Sequence, residues 1–183
     1  MTRVYLRPLT LEDTFNIVKW RNLPSVRKNL YSQDELTEAQ HISYFHNVVE
    51  QGKCVQYVIV VNNGYIESEI GTIFIKNIDY NNRKGEYGIF IGEEQARGKG
   101  YSKVATNEIL SIAFQKLNLN RIYLTVLNNN IVAIKSYLRQ GFQIEGWLRQ
   151  DYCRDGVYMN VLVMGLLKDD WAKKTSAHGG IYF

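Results

Sequence analysis

The sequence predicts one α+β domain in three layers, α/β/α, around a central mixed sheet of seven strands. Three observations carry this reading. Apolar, largely β-branched runs bounded by turn residues recur at 55–61, 70–75, 85–91 and 121–127. Amphipathic stretches with helical spacing follow at 100–116 and 131–139. The chain, 183 residues long, has no linker long enough to divide it and no internal repeat, so one core can form.

The elements follow in order. Val4–Leu9 alternates loosely and reads as the first strand, with Pro8 suiting an edge. Thr10 and Asp13 have N-cap spacing, and a helix over Leu11–Trp20 turns Phe15, Val18 and Trp20 toward the core. Arg21-Asn22-Leu23-Pro24 breaks that helix, because the residue before proline avoids helical backbone. A short helix from Ser25 turns Val26 and Leu30 inward and leaves Arg27 and Lys28 for solvent or a ligand. Thr37 and Gln40 have capping-box spacing, with Glu38 favouring the helix dipole. The helix behind them carries Ile42, Phe45 and Val49 on one side and ends before Gly52.

Asn62-Asn63-Gly64 turns strand 55–61 toward strand 70–75, where Gly71 marks a bulge or a close approach. A polar turn leads into strand 85–91. Helix 100–116 places Val104, Ala105, Ile109, Leu110, Ala113 and Phe114 on its apolar side. After strand 121–127, a helix over 131–139 buries Ala133, Ile134 and Tyr137 or Leu138, and Gly141 stops it. The last strands, 142–148 and 158–167, turn at Asp155-Gly156. Residues after Trp171 show no regular period. The domain is therefore expected over 1–172, with 173–183 as a tail.

Composition narrows the function classes. Apolar content of 45% and charged content of 22% are ordinary for a globular chain. No window approaches ~18 uninterrupted apolar residues, so no membrane span is expected. No apolar signal segment follows the N-terminus. The two cysteines, Cys54 and Cys153, lack metal spacing and fit free thiols in a cytoplasmic chain, with one disulfide as the alternative. His41, His46 and His178 are scattered and give no metal motif. The net charge of +4 is modest, and basic residues intermingle with acids, which argues against a nucleic-acid partner.

The stretch Glu86–Ala105 carries the local chemistry. An apolar strand enters a loop with Gly98 and Gly100, and a helix opens directly after it. Glycines permit tight turns and close ligand approach, and N–H groups at a helix start can hold a phosphate. Arg97 and Lys99 add positive charge. A plain strand–turn–helix junction explains the same residues. The loop lacks the full Gly-x-Gly-x-x-Gly pattern and follows the fourth strand, so a dinucleotide fold is not indicated.

Gln95-Ala96-Arg97-Gly98-Lys99-Gly100 resembles the acetyl-CoA loop of the GCN5-related N-acetyltransferases (GNAT), Gln/Arg-x-x-Gly-x-Gly/Ala. Asn130, Tyr137 and Gly141-Phe142 match that family's second signature in order and spacing. Leu6-Arg7-Pro8-Leu9, and Phe142-Gln-Ile-Glu-Gly followed by Leu148-Arg149, resemble the branch of ribosomal-protein and spermidine acetyltransferases. The likeness covers residues 3 to about 170. It implies a mostly antiparallel seven-stranded sheet with about four helices. It also implies an acetyl-CoA-dependent transfer to a primary amine by direct attack.

The resemblance assigns roles. Residues 96–101, with Tyr101 at the helix start, would hold the coenzyme A pyrophosphate, beside Gln95 and Asn130. The pantetheine arm would pair with strand 87–91, and an amide among Ile89, Phe90 and Ile91 would stabilise the developing oxyanion. Glu86 is the candidate base, or a group that holds the amine. Tyr137 would protonate the departing thiolate. Cys153 is not needed as a nucleophile, since direct attack forms no acyl-enzyme. For the acceptor, Trp20, Arg21, Asn22, Arg27 and His41 resemble the wall of enzymes that acetylate amino-sugar nucleotides. Spermidine or another polyamine, and a protein N-terminus of ribosomal type, are the alternatives. An acyl-CoA-binding regulatory module is the non-enzyme reading. The branch also implies a homodimer or larger homo-oligomer.

Overall fold

The β-branched runs all become strands. In the computed structural model, which describes residues 2–177, they are β1 (Arg3–Pro8), β2 (Cys54–Asn62), β3 (Glu67–Asp79), β4 (Lys84–Ile91), β5 (Arg121–Leu127), β6 (Gln143–Arg154) and β7 (Val157–Leu167). They form one mixed, mostly antiparallel sheet in the order β1-β2-β3-β4-β5-β7-β6. The parallel pair is β4 with β5, in register over Lys84↔Arg121, Gly85↔Ile122 and Glu86↔Tyr123. β4 then continues to Ile91 and β5 to Leu127. The other edge of β5 is bonded antiparallel to β7 over its whole length.

Six α-helices stand among the described residues: α1 (Thr14–Asn22), α2 (Pro24–Arg27), α3 (Glu38–Tyr44), α4 (Tyr101–Ser111), α5 (Ile131–Gln140) and α6 (Lys168–Ala177). About four were expected. The sequence itself outlines five of the six; the unforeseen one is α6, which runs into the segment read as an aperiodic tail. Its residues are mostly polar, so no apolar stripe announces it; Trp171 anchors it, its ring 5.4 Å from that of Phe114. Residues 178–183, the rest of the expected tail, with His178, lie outside the described residues. No helix of the described residues is long and apolar enough to cross a membrane.

The chain forms two compact units. The first comprises the residues up to Ile78 together with Tyr87–Ser111. Its core includes Leu9, Ile17, Trp20, Phe45, Val58 and Val60, against which Leu36 and Phe90 pack. Burying side chains of this size contributes about 1.5–3 kcal/mol each. The second unit comprises Asp79–Glu86 and the residues from Ile112 on. Ile122, Leu124, Val161, Leu162, Met164 and Leu166 are buried there.

Several helix faces differ from the expectation. In α1, Trp20 is buried as expected, but Phe15 is 67% exposed and Ile17 is buried instead. The first turn, Leu11–Asp13, is a 3-10 helix, and the α-helix begins only at Thr14, so the inward face is rotated. α1 runs through Asn22, and the break falls at Leu23, whose ψ of 132° is the extended value favoured before proline. Ile42 is exposed and His41 buried in its place. Val104 and Leu138 are likewise exposed.

Other local expectations hold. Thr37 and Gln40 form the capping box, with the Gln40 amide donating to Thr37 Oγ1 at 3.2 Å. Gly141 ends α5 in the left-handed region at φ 104°. Gly71 is a close-approach site, since a methyl there would overlap the Phe90 carbonyl. Both cysteines are free thiols, Cys54 buried and Cys153 exposed.

Candidate active site

In the first unit, β4 ends at Ile91 and a single 3-10 turn, Glu94–Ala96, leads to the glycine loop. Gly98 (φ 73°) and Gly100 (φ 80°) adopt left-handed backbone, which favours glycine at both positions. Among the described residues, the amides of Gly100, Tyr101 and Ser102 have no protein acceptor. Unpaired N–H groups at a helix start suit a diphosphate. The loop therefore fits the pyrophosphate of coenzyme A. Tyr87 and α4 are tied together beneath it by a buried hydrogen bond between the Tyr87 and Thr106 hydroxyls at 2.8 Å.

The individual loop residues differ in what they offer. Ala96 is buried, Lys99 is exposed, and the exposed Gln95 donates to Glu93 Oε2 at 3.2 Å. Arg97 turns back into the protein. Its Nε and Nη2 donate to the Ile91 carbonyl at 3.2 and 3.0 Å, and Nη2 also donates to Ser25 Oγ at 3.0 Å. Ile89, Phe90 and Ile91 are half-buried on β4, with Phe90 against the Trp20 core.

In the second unit, Glu86 is half-buried and pairs in register with Tyr123. Burial, and then the nearby Glu86, push the Tyr123 hydroxyl up from its ordinary value. Asn130 caps α5: its side-chain oxygen accepts the Ala133 amide at 3.2 Å. This fixes the start of the helix that carries Tyr137. The half-buried Tyr137 ring meets the Phe142 ring edge-on, 6.0 Å apart.

The wall read from the N-terminal helices is held together by its own side chains. Trp20 is 1% exposed and donates through Nε1 to Glu93 Oε1 at 2.7 Å. Asn22 makes a paired contact with Leu36, donating to its carbonyl and accepting its amide, both at 2.8 Å. Arg21 donates through Nη2 to the Ser32 carbonyl at 2.8 Å while its buried Nη1 has no partner among the described residues, and Arg27 donates to the Gln33 carbonyl. His41 is 2% exposed; its Nδ1 meets Thr14 Oγ1 at 3.0 Å and its Nε2 has no partner. Burial holds the imidazole below its usual pKa, with Asp13 opposing.

Three carboxylates escaped the sequence reading. A cavity of about 490 Å³ in the first unit is lined by Glu67, Glu69 and Glu93, with Arg7, Tyr5, Asn16 and Trp20 among its other residues. The Trp20 indole N–H holds the Glu93 carboxyl below its usual range, and the Asn62 amide, then the Tyr5 hydroxyl, does so for Glu67. Glu69 accepts from Arg7 and, at 2.8 Å, from Asn16. The available signal was the spacing of Glu67 and Glu69, which puts both on one face of a strand.

Comparison with known proteins agrees with this geometry. A family model described as "Acetyltransferase (GNAT) domain" matches residues 3–143. An uncharacterised N-acetyltransferase of Bacillus licheniformis is 30% identical over 173 residues, 93% of this chain and 96% of the relative. A spermidine N(1)-acetyltransferase of Vibrio cholerae is 33% identical over 106 residues, 58% of this chain and 61% of that one. A crystal structure of a Vibrio cholerae spermidine N-acetyltransferase, in complex with CoA and spermine, superposes with a TM-score of 0.85. That likeness, at 24% identity over 92% of this chain and 98% of the other, shows the fold. The chain belongs to the GNAT acetyltransferase family. It is an acetyl-CoA-dependent N-acetyltransferase, with acetyl-CoA as the acetyl donor.

Proposed function

We propose that the acceptor is a primary amine of a polyamine such as spermidine. The observation that carries this reading is the excess of carboxylates over cations in the clefts of the first unit. Arg27, which a nucleotide-linked sugar would need for its phosphates, donates to the Gln33 carbonyl, and Arg21 donates through Nη2 to the Ser32 carbonyl while its Nη1 is left without a partner among the described residues, beside Asp34 and Glu35. Meanwhile the clefts of the same unit present more carboxylates than cations: Glu67, Glu69 and Glu93 against Arg7 in one, Asp34 and Glu35 against Arg21 in the other. Anionic clefts favour a polycation over a diphosphate. The likeness to a spermidine acetyltransferase supports the same choice. It backs the polyamine alternative better than the amino-sugar nucleotide acceptor expected from the sequence.

In this reading the free amine attacks the thioester carbonyl directly. Glu86 takes a proton from the bound ammonium before attack, directly or through water, because only the neutral amine has a lone pair to offer. A β4 amide from Ile89, Phe90 or Ile91 donates to the oxyanion. The Tyr137 hydroxyl gives its proton to the departing thiolate. Residues 95–101 and Asn130 hold the cofactor. The enzyme works as a homo-oligomer, which light scattering on the purified protein measures directly.

The test is release of free thiol from acetyl-CoA with a panel of amines. Spermidine and spermine should give acetylated product, identified by mass. Product only from UDP-amino sugars, or only from peptides with free N-termini, would replace this reading. CoA binding without product from any amine would favour a regulatory module.

A further inference from the structure

Arg97 stands inside the glycine loop, yet its guanidinium is bonded to two other parts of the first unit. Two of its nitrogens donate to the carbonyl of Ile91, the last residue of β4, and one of these also donates to the hydroxyl of Ser25 on α2. α2 opens the segment 24–37. Beyond α2, residues 28–37 contain neither helix nor strand. They are held instead by side chains: Asn22 on Leu36, Arg21 on Ser32, Arg27 on Gln33, and Gln33 Nε2 on the carbonyls of Arg27 and Leu30.

We propose that Arg97 is a positioning residue that couples occupancy of the glycine loop to order in segment 24–37. This rests on the acetyl-CoA assignment of the loop and not on the identity of the acceptor. A diphosphate held by the loop amides fixes the backbone at residue 97. The planar guanidinium fork passes that constraint to the Ile91 carbonyl and the Ser25 hydroxyl together. A lysine ammonium has no fixed fork and cannot hold both acceptors in one geometry. Coupling of this kind is reciprocal, so whatever settles segment 24–37 tightens cofactor binding by the same factor.

Amide hydrogen exchange with and without CoA tests the coupling, on the wild type, Ser25→Ala and Arg97→Lys. CoA should slow exchange across residues 24–37 of the wild type by about fivefold or more, the lower end of measured couplings. Ser25→Ala leaves the bonds to Ile91 in place. It should bind CoA within about twofold of wild type by calorimetry and lose the slowing. Arg97→Lys should lose the slowing and also bind CoA about fivefold more weakly. Equal slowing in the wild type and Ser25→Ala, or none in the wild type despite CoA binding, overturns the proposal. Failure of the wild type to bind CoA in the same calorimetry overturns the cofactor assignment itself. A positive exchange result with no turnover of spermidine leaves the coupling standing and removes only the polyamine reading.

Discussion

The indole of Trp20 occupies the space that a side chain at Gly92 would need, while its Nε1 donates to Glu93 at 2.7 Å. One buried ring thus fixes the two residues that follow β4. Gly92→Ala should destabilise the protein by about 1–3 kcal/mol, the usual cost of overpacking. The penalty should shrink in a Trp20→Ala background, where the obstructing ring is gone. Urea unfolding of the two single variants and the double variant measures that interaction.

Tyr137→Phe keeps the edge-on packing against Phe142 and removes only the hydroxyl. Turnover should fall by roughly 100-fold, in the range of a lost general acid. If Tyr137 is the proposed general acid, the KM for acetyl-CoA should stay within about twofold, because such an interaction belongs to the transition state. A variant that instead raises KM at unchanged turnover would assign Tyr137 to cofactor binding.

Glu86→Gln preserves size and removes the carboxylate proposed as the base. The value of kcat/KM for the amine should fall by about 100-fold. Near-wild-type kinetics would move proton removal to a water path or another group. Circular dichroism should show an unchanged fold, since Glu86 is half-buried on a strand paired through its backbone.

His41 predicts a pH dependence of stability. Burial lowers its folded-state pKa below the unfolded value, and Asp13 offsets this in part. The groups around it are Thr14, Asp13 and Tyr44. Because the unfolded chain binds the proton more readily, stability is complete above about pH 6.5 and declines as the pH falls below it. The slope cannot exceed about 1.4 kcal/mol per pH unit for one proton. His41→Asn should flatten the unfolding free energy between about pH 6.5 and 5, the window below the unfolded histidine pKa. Asp13, held low by Arg7 against its own burial, contributes only further into acid.

The backbone was more legible than the side chains. Strand Arg121–Leu127, the Thr37–Gln40 box and the Gly141 stop each rest on local chemistry that tertiary packing does not override. The inward face of α1 was legible at Trp20 but not at Phe15 and Ile17, because a 3-10 turn opens the segment and shifts the helical phase. α6 escaped because its anchor, Trp171, lies far in sequence from Phe114. The same limit governs the candidate site. Charge marked Arg97, and resemblance marked Asn22 and Arg27, as ligand-binding; each also donates to a carbonyl of its own chain, which sequence does not reveal. Glu93 became visible only once Trp20 was seen beside it.

The two thiols have unequal chemistry. Cys54 is buried in the first unit, and burial pushes its pKa up to about 11 although Tyr44 opposes the shift. Cys153 is exposed on β6. A disulfide reagent at neutral pH should therefore consume one equivalent of native protein quickly and a second only on unfolding. Cys153→Ser would give an enzyme whose only prompt colour with such a reagent comes from released coenzyme A. Conversely, the wild-type Cys153 offers a single attachment point for a fluorophore or spin label.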